Sequence, residues 1–217
     1  MQEQTLKTPV EYIKEAWGIY TKKENFVLFA KVMAVVVILT SAIGYLISYF
    51  YSSNDWQNVG FVVLTLLSIV VGIWSQTVKY FVVLKIGNTE KEIFRLGYKN
   101  MLKFFLISLV VGLIVLVGLV LLVIPAIMFG VWYSFSTWLV LDKNMGVFEA
   151  LKQSKAMVKG RFWKVLGRTV TFGLFAFFVS IVVVAIPYAG NLIISFVAPL
   201  FMLPFYLMYR DLVTGTG

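Results

Sequence analysis

The sequence predicts an all-α membrane protein with six transmembrane helices, and three observations support this prediction. Hydrophobic residues make up 60% of the 217-residue chain and charged residues only 13%, about half the charged fraction of an ordinary soluble domain. Lys and Arg are found only in the N-terminal segment, in the connections after the second and fourth long apolar runs, in the C-terminal tail and near the ends of the runs that adjoin these segments. All but the fourth of these runs contain the roughly 20 residues that a helix needs to cross a bilayer. The six runs span about residues 26–50, 59–84, 102–124, 126–141, 162–186 and 189–209.

Short segments with helix-ending residues join the runs in pairs. The sequence "VIPA" (123–126) joins the third run to the fourth, and "AIPYAGN" (185–191) joins the fifth to the sixth. Proline and glycine favour turns at such positions. We therefore expect three helical hairpins, the second folded at Pro125 and the third at Pro187 and Gly190.

An amphipathic segment precedes each hairpin. In the first segment, Thr8 and Glu11 have the spacing of a capping box, and Pro9 stands at the first helical position. Thr89 and Glu92 repeat this spacing in the second segment. We expect each segment to form an interfacial helix on the cytoplasmic side, which then turns into a span at a corner that begins with lysine. The three corners are Lys23 to Phe26, Lys99 to Leu102 and Lys159 to Phe162.

The predicted organisation is a single membrane domain, residues 1–217, built from three pseudo-repeats at about 8–84, 89–141 and 144–209. The connections after the first, third and fifth runs contain no Lys or Arg, and Asp55 is their only charged residue. All 19 basic residues and the other nine acidic residues lie on the opposite side, which gives that side a net charge of +10 (19 − 9). The positive-inside rule therefore predicts that both termini are cytoplasmic.

The stretch "EALKQSKAMVKGRFWKVLGR" (149–168) contains six basic residues and only one acidic residue. Basic and aromatic residues together are also found in nucleic-acid interfaces, but basic residues beside a span are already required by the topology. The aromatic pair Phe162 and Trp163 suits the membrane–water boundary, and Gly160 is suited to end the third amphipathic helix. The predicted partner is therefore anionic membrane lipid, with a cytoplasmic or membrane protein as a further partner, and not nucleic acid. The predicted lipid contacts are Lys155, Lys159, Arg161 and Lys164.

The same stretch carries the motif E-A-L-x-x-S-x-x-x-x-K-G-x-aromatic-aromatic. Its residues are Glu149, Ala150, Leu151, Ser154, Lys159, Gly160, Phe162 and Trp163. The motif resembles the signature of a group of six-span prokaryotic membrane proteins, which includes the membrane domain attached to some glycerophosphodiester phosphodiesterases and the YciC-like envelope proteins. The resemblance implies a six-span fold in a prokaryotic cytoplasmic membrane, and it carries over no catalytic residues.

The composition argues against most enzymes and ion-coupled transporters. The chain has no Cys and no His, which removes thiolate chemistry and the commonest general base and metal ligand. No acidic residue lies in the middle of a span, where coupled transporters usually place ionisable groups. Ser75 and Lys79 have the spacing of a nucleophile–base pair on one helix face, but Lys79 lies close enough to the cytoplasmic end of its span to reach water.

We therefore expect no catalytic activity, no cofactor and no metal. The leading prediction is a membrane-organising module that binds lipid or a partner protein. The alternative is a permease or a transporter of lipid or small molecules. A continuous polar cavity through the bundle would favour the transporter, and a packed apolar centre would favour the module.

Overall fold

A computed structural model describes residues 6–52, 59–186 and 190–214, most of which are helical. The helices of the described residues are α1 Pro9–Thr21, α2 Lys23–Ser52, α3 Val59–Leu84, α4 Glu90–Leu121, α5 Val123–Trp132, α6 Ser136–Lys143, α7 Val147–Val158, α8 Phe162–Val184 and α9 Gly190–Thr214. The described part of the chain contains no strand. The predicted all-α fold is therefore confirmed.

In the part of the chain that the structure describes, six helical segments are long and apolar enough to cross a membrane. Helices α2, α3, α4, α8 and α9 each provide one, and α5 together with α6 provides the short fourth segment, Val123–Lys143. Hydrophobic length of this kind is what a bilayer core requires. The protein is a multi-pass membrane protein.

The first amphipathic segment forms the helix that the sequence predicts. In α1, the Glu11 N–H donates to Thr8 Oγ1 (3.3 Å) and the Thr8 N–H donates to Glu11 Oε2 (2.6 Å). Two backbone donors at the helix start are thus satisfied by side chains, as a capping box requires. The chain leaves the helical conformation at Lys22, with ψ 126°, before α2 begins.

The second amphipathic segment is not a separate helix. Helix α4 continues without a break from Glu90 to Leu121, so the corner predicted at Lys99 to Leu102 is wrong. These four residues include neither glycine nor proline, and nothing local ends the helix there. The predicted Thr89 cap is also wrong, because the Thr89 side chain makes no cap hydrogen bond and Asn88 Nδ2 instead donates to Glu92 (2.9 Å).

The turn between α4 and α5 consists of Leu122 alone, three residues before the predicted fold at Pro125. Pro125 lies in the first turn of α5, where a missing N–H costs no intrahelical hydrogen bond. The two helices pack closely beside this turn: a Cβ added to Gly118 would lie 2.9 Å from Ala126 Cα. The predicted turn at Pro187 lies outside the described residues, and α9 begins at Gly190.

The fourth span is broken between Trp132 and Ser136, whereas the sequence predicts one short helix there. Residues 133–135 separate α5 from α6, and they lie next to α7. Both α5 and α6 contact α4 and α7. Helix α5 also contacts α8, and α6 also contacts α3.

Helix α9 lies at the centre of the apolar core, in contact with α1, α2, α3 and α8. Its Tyr209 stacks on Phe135 and Trp138 at centroid distances of 6.5 and 6.0 Å, and its hydroxyl donates to Asp142 (2.9 Å). Apart from the tyrosine hydroxyls, the buried polar residues of the described core are Ser75, Thr77, Ser136 and Ser154.

The segment before α1 is held against α8. Arg168 donates from Nε to the Lys7 carbonyl and from Nη2 to the Leu6 carbonyl, both at 2.8 Å. Nearby, the Tyr12 hydroxyl donates to Asp211 (2.9 Å). Burial, reinforced by this hydrogen bond, raises the pKa of Tyr12 above its ordinary value.

An ion pair network links α1 to α9. Glu15 accepts hydrogen bonds from Lys7 Nζ (2.6 Å) and from Arg210 Nη2 (3.0 Å). Burial by itself would raise the pKa of Glu15, but these two cations outweigh it and the pKa is lowered. The network and the Arg168 contacts together fix the N-terminal segment on the last two helices.

Candidate functional site

The corner between α7 and α8 brings together the motif and the predicted lipid contacts. Helix α7 ends at Val158, and Gly160 adopts φ +81° before α8 begins at Phe162. A Cβ on Gly160 would meet no atom within 4 Å. The left-handed backbone, and not a lack of space, therefore favours glycine here.

A cleft of about 590 Å³ opens at this corner between α5 and the start of α8. This volume lies within the roughly 300–1,000 Å³ of typical ligand sites. Among the described residues that line the cleft, only Lys159 is charged. The α5 wall consists of Ile124, Ile127, Met128 and Trp132, and the corner contributes Lys159, Gly160, Phe162, Trp163 and Leu166.

Two of the four predicted lipid contacts lie at the cleft. Lys159 lines it, and Lys155 Nζ lies 4.4 Å from the centroid of the Trp132 ring, which forms part of the wall. A cation over an aromatic face is held there by the ring quadrupole. Arg161 and Lys164 do not line the cleft. Lys164 is exposed on the first turn of α8.

Arg161 precedes α8 and is placed differently from the exposed lysines. Its Nη1 is buried and has no hydrogen-bond partner in the part of the chain that the structure describes. Buried donors are normally paired, because an unpaired donor keeps the cost of its desolvation. This nitrogen is therefore a donor close to the corner whose hydrogen-bonding capacity is unused.

Ser154 connects α7 to the break in the fourth span. Its hydroxyl donates to the Trp132 carbonyl (2.7 Å) and accepts from the Phe135 N–H (3.2 Å). Ser154 is fully buried. It thereby satisfies two backbone groups that the break leaves without helical partners.

The other motif residues have separate local roles. Glu149 Oε2 accepts the Gly146 N–H (3.4 Å) at the start of α7, and Ala150 and Leu151 are buried in the core. Phe162 packs edge-on against Trp163 at a centroid distance of 5.4 Å. The Trp163 side chain is 79% exposed, as is common for aromatic rings at a membrane boundary.

The serines and threonines of the spans are mostly bonded to their own segments of chain. Ser75 Oγ donates to the Gly72 carbonyl (2.8 Å) in α3, so its hydroxyl proton is directed away from the proposed pair with Lys79. Ser68, Thr77 and Ser136 likewise donate to carbonyls three or four residues earlier. Among the described residues, no group of three or more acidic side chains could hold a metal ion.

Comparison with known proteins gives no match: no family model, curated protein or solved structure is similar to this chain. The resemblance to six-span prokaryotic membrane proteins therefore remains a prediction that depends on the motif of α7 and α8.

The wall of the cleft could not be predicted from the sequence. Ile124, Ile127 and Met128 have the composition of any lipid-facing helix, and no charge or motif distinguishes them. Their role depends on α5 packing beside the start of α8, which is a tertiary contact.

Proposed function

We propose that this protein is a non-catalytic membrane module that binds an anionic lipid in the cleft at the α7–α8 corner. The apolar part of the lipid lies against α5 and α8, and its headgroup lies near Lys155 and Lys159. The observation that carries the proposal is this pair of cations at the edge of an otherwise apolar cleft.

The chemistry of an anionic lipid matches both parts of the site. A basic residue near an anionic leaflet contributes about 1 kcal/mol of attraction. Lysine can keep its amine at the headgroup level while its methylenes cover apolar surface. The exposed ring of Trp163 suits the same boundary. We place this corner on the cytoplasmic side of a prokaryotic membrane, with both termini inside, on the basis of the distribution of charge.

The module is favoured over a permease because of the polar residues of the core. A polar path would need hydroxyls or charges that face a shared cavity. Ser75, Thr77 and Ser136 instead donate to nearby carbonyls of their own chain segments. A catalytic role for Ser75 is disfavoured by the same hydrogen bond to Gly72.

The proposal is tested by the retention of lipid on purified protein, measured by native mass spectrometry. The probes are phosphatidylglycerol and, as a zwitterionic comparison, phosphatidylcholine. The double variant K155Q/K159Q should bind phosphatidylglycerol roughly 30-fold more weakly at low salt, which corresponds to about 2 kcal/mol for two basic residues. The control K91Q/K99Q removes the same charge from the exposed surface of α4 and should bind as wild type does.

A second variant separates binding in the cleft from attraction to surface charge. Met128→Trp narrows the cleft with a larger side chain and leaves the charge unchanged, so it should also weaken retention while the protein keeps its thermal stability. Equal retention of phosphatidylglycerol by wild type and K155Q/K159Q would refute the proposal. Loss of retention in K155Q/K159Q with none in Met128→Trp would place the lipid on the surface of α7.

A further inference from the structure

A second apolar cleft lies at the corner between α1 and α2. It has a volume of about 670 Å³ and lies between α1, the start of α2, α8 and α9. Helix α1 contributes Ile13, Lys14, Trp17 and Tyr20, and α2 contributes Phe26. As in the α7–α8 cleft, a lysine is the only charged residue among the described residues of the lining.

The two clefts lie at the corners that open the first and third pseudo-repeats. Phe26 and Phe162 each stand three residues after the lysine that begins the corner, and each lines its cleft. Each cleft also has an exposed tryptophan: Trp17 is 57% exposed and Trp163 is 79% exposed. The two clefts therefore share an apolar floor, an aromatic edge and one lining cation.

The charge of Lys14 is available to a ligand. The Lys14 side chain is exposed, and it takes part in no ion pair among the described residues. The nearby acidic side chains are engaged elsewhere: Glu11 caps α1, and Glu15 pairs with Lys7. An anionic headgroup would complement Lys14, and an acyl chain would cover the apolar lining.

We infer that the cleft at the α1–α2 corner binds a second anionic lipid, so that each chain holds two. The inference rests on the proposed function for the class of ligand, an anionic lipid. The site itself consists of residues that do not belong to the α7–α8 cleft. Lys14 attracts the headgroup, and the acyl chain packs beside Trp17 and Phe26.

The second pseudo-repeat provides an internal comparison. Its cleft, between α2, α3 and α4, has a volume of only about 260 Å³, and none of the described residues that line it is charged. The lining includes Trp74, Tyr98 and Met101. The volume lies below the roughly 300 Å³ of small ligand sites, and α4 passes through this region without a corner. We expect no anionic lipid there.

The test uses tryptophan quenching in phosphatidylcholine vesicles that contain lipids with brominated acyl chains. Brominated phosphatidylglycerol is compared with brominated phosphatidylcholine at equal mole fraction, and the Trp17 signal is obtained as the difference between wild type and Trp17→Phe. Brominated phosphatidylglycerol should quench Trp17 at a lower mole fraction than brominated phosphatidylcholine does. For one lysine, the two mole fractions should differ by up to about fivefold. Lys14→Gln should abolish this preference, and the control Lys91→Gln should preserve it.

Native mass spectrometry then counts the bound phosphatidylglycerol. Wild type should hold up to two molecules. At a lipid concentration close to the wild-type Kd, Lys14→Gln and K155Q/K159Q should each lose most of the occupancy of one site, and the triple variant should lose most of the occupancy of both. Quenching of Trp163 is measured in the same way, as the difference between wild type and Trp163→Phe. Equal quenching of Trp17 by the two brominated lipids would overturn this inference alone if the anionic lipid still quenches Trp163 more strongly. Loss of the preference at both tryptophans would overturn the proposed function as well.

Discussion

Replacing Ser154 with alanine should destabilise the protein much more than serine-to-alanine changes in the spans. The Ser154 hydroxyl is fully buried and bonds two backbone groups of another segment, the Trp132 carbonyl (2.7 Å) and the Phe135 N–H (3.2 Å). Alanine would leave both groups buried without a partner. We therefore expect the break in the fourth span to be the weak point of the variant.

The magnitude follows from the two orphaned groups. Leaving a buried donor or acceptor unpaired costs about 1–3 kcal/mol. Because residues 133–135 form a turn that can relax, we take the lower limit for each group and expect a loss of about 2 kcal/mol in the free energy of unfolding. This exceeds the average of about 0.6 kcal/mol for interhelical hydrogen bonds in membranes.

Ser75→Ala is the matched control. Ser75 is as well buried in α3, but its hydroxyl donates to the Gly72 carbonyl of its own helix (2.8 Å). That carbonyl keeps its helical hydrogen bond when the hydroxyl is lost, so the cost should stay below about 0.5 kcal/mol. The free energy of unfolding is measured by titration with sodium dodecyl sulfate in mixed micelles, followed by circular dichroism. If the two variants unfold at the same mole fraction of dodecyl sulfate, Ser154 does not support the break.

Three further perturbations test the corner, the N-terminal segment and the topology. Gly160→Val should lower the free energy of unfolding by about 1–2 kcal/mol in the same assay, because φ +81° strains any other residue. The control Gly18→Ala, where the added Cβ meets open space on α1, should not lower it. Equal effects of the two changes would contradict the backbone argument. Arg168→Lys should lower the free energy of unfolding by about 1 kcal/mol and expose the N-terminal segment to protease. The reason is that lysine lacks the planar guanidinium that donates to two carbonyls at once. Unchanged proteolysis would rule out this anchoring role. Cysteines introduced at Ser52 and Lys152 should report opposite sides of the membrane. Both positions are exposed, and the chain has no native cysteine. Labelling of both cysteines by an impermeant maleimide in intact cells would refute the predicted orientation.

The six spans and the α7–α8 corner were predictable because both depend on local sequence. Hydrophobic length decides whether a helix can cross a bilayer, and α3 occupies residues 59–84 as its apolar run predicts. The corner depends on Gly160, whose backbone freedom is a property of that residue alone. The capping box of Thr8 and Glu11 is local in the same sense.

The features that could not be predicted depend on contacts between distant segments. Comparison of the three pseudo-repeats predicts a corner at Lys99 to Leu102. Helix α4 instead continues through these residues, which include neither glycine nor proline. The break after Trp132 shows no glycine or proline, and its backbone groups are satisfied by Ser154, 22 residues away. The α5 wall of the cleft follows from that break, and the apolar periodicity of a lipid-facing helix does not reveal it.

Trp132 links the support of the fold to the proposed lipid site. Its carbonyl accepts the hydrogen bond of Ser154, and its ring lies under the amine of Lys155, the next residue of α7. The same turn of α7 thus holds the end of α5 in place and sets a cation at the edge of the cleft that α5 lines. A lipid bound there would contact the Trp132 ring, and its headgroup would compete with that ring for the Lys155 amine. Lipid binding would therefore affect Trp132, the residue at which α5 ends and the break begins. Removing the Ser154 hydroxyl should therefore weaken lipid retention as well as stability, although it removes no charge and no group from the cleft lining.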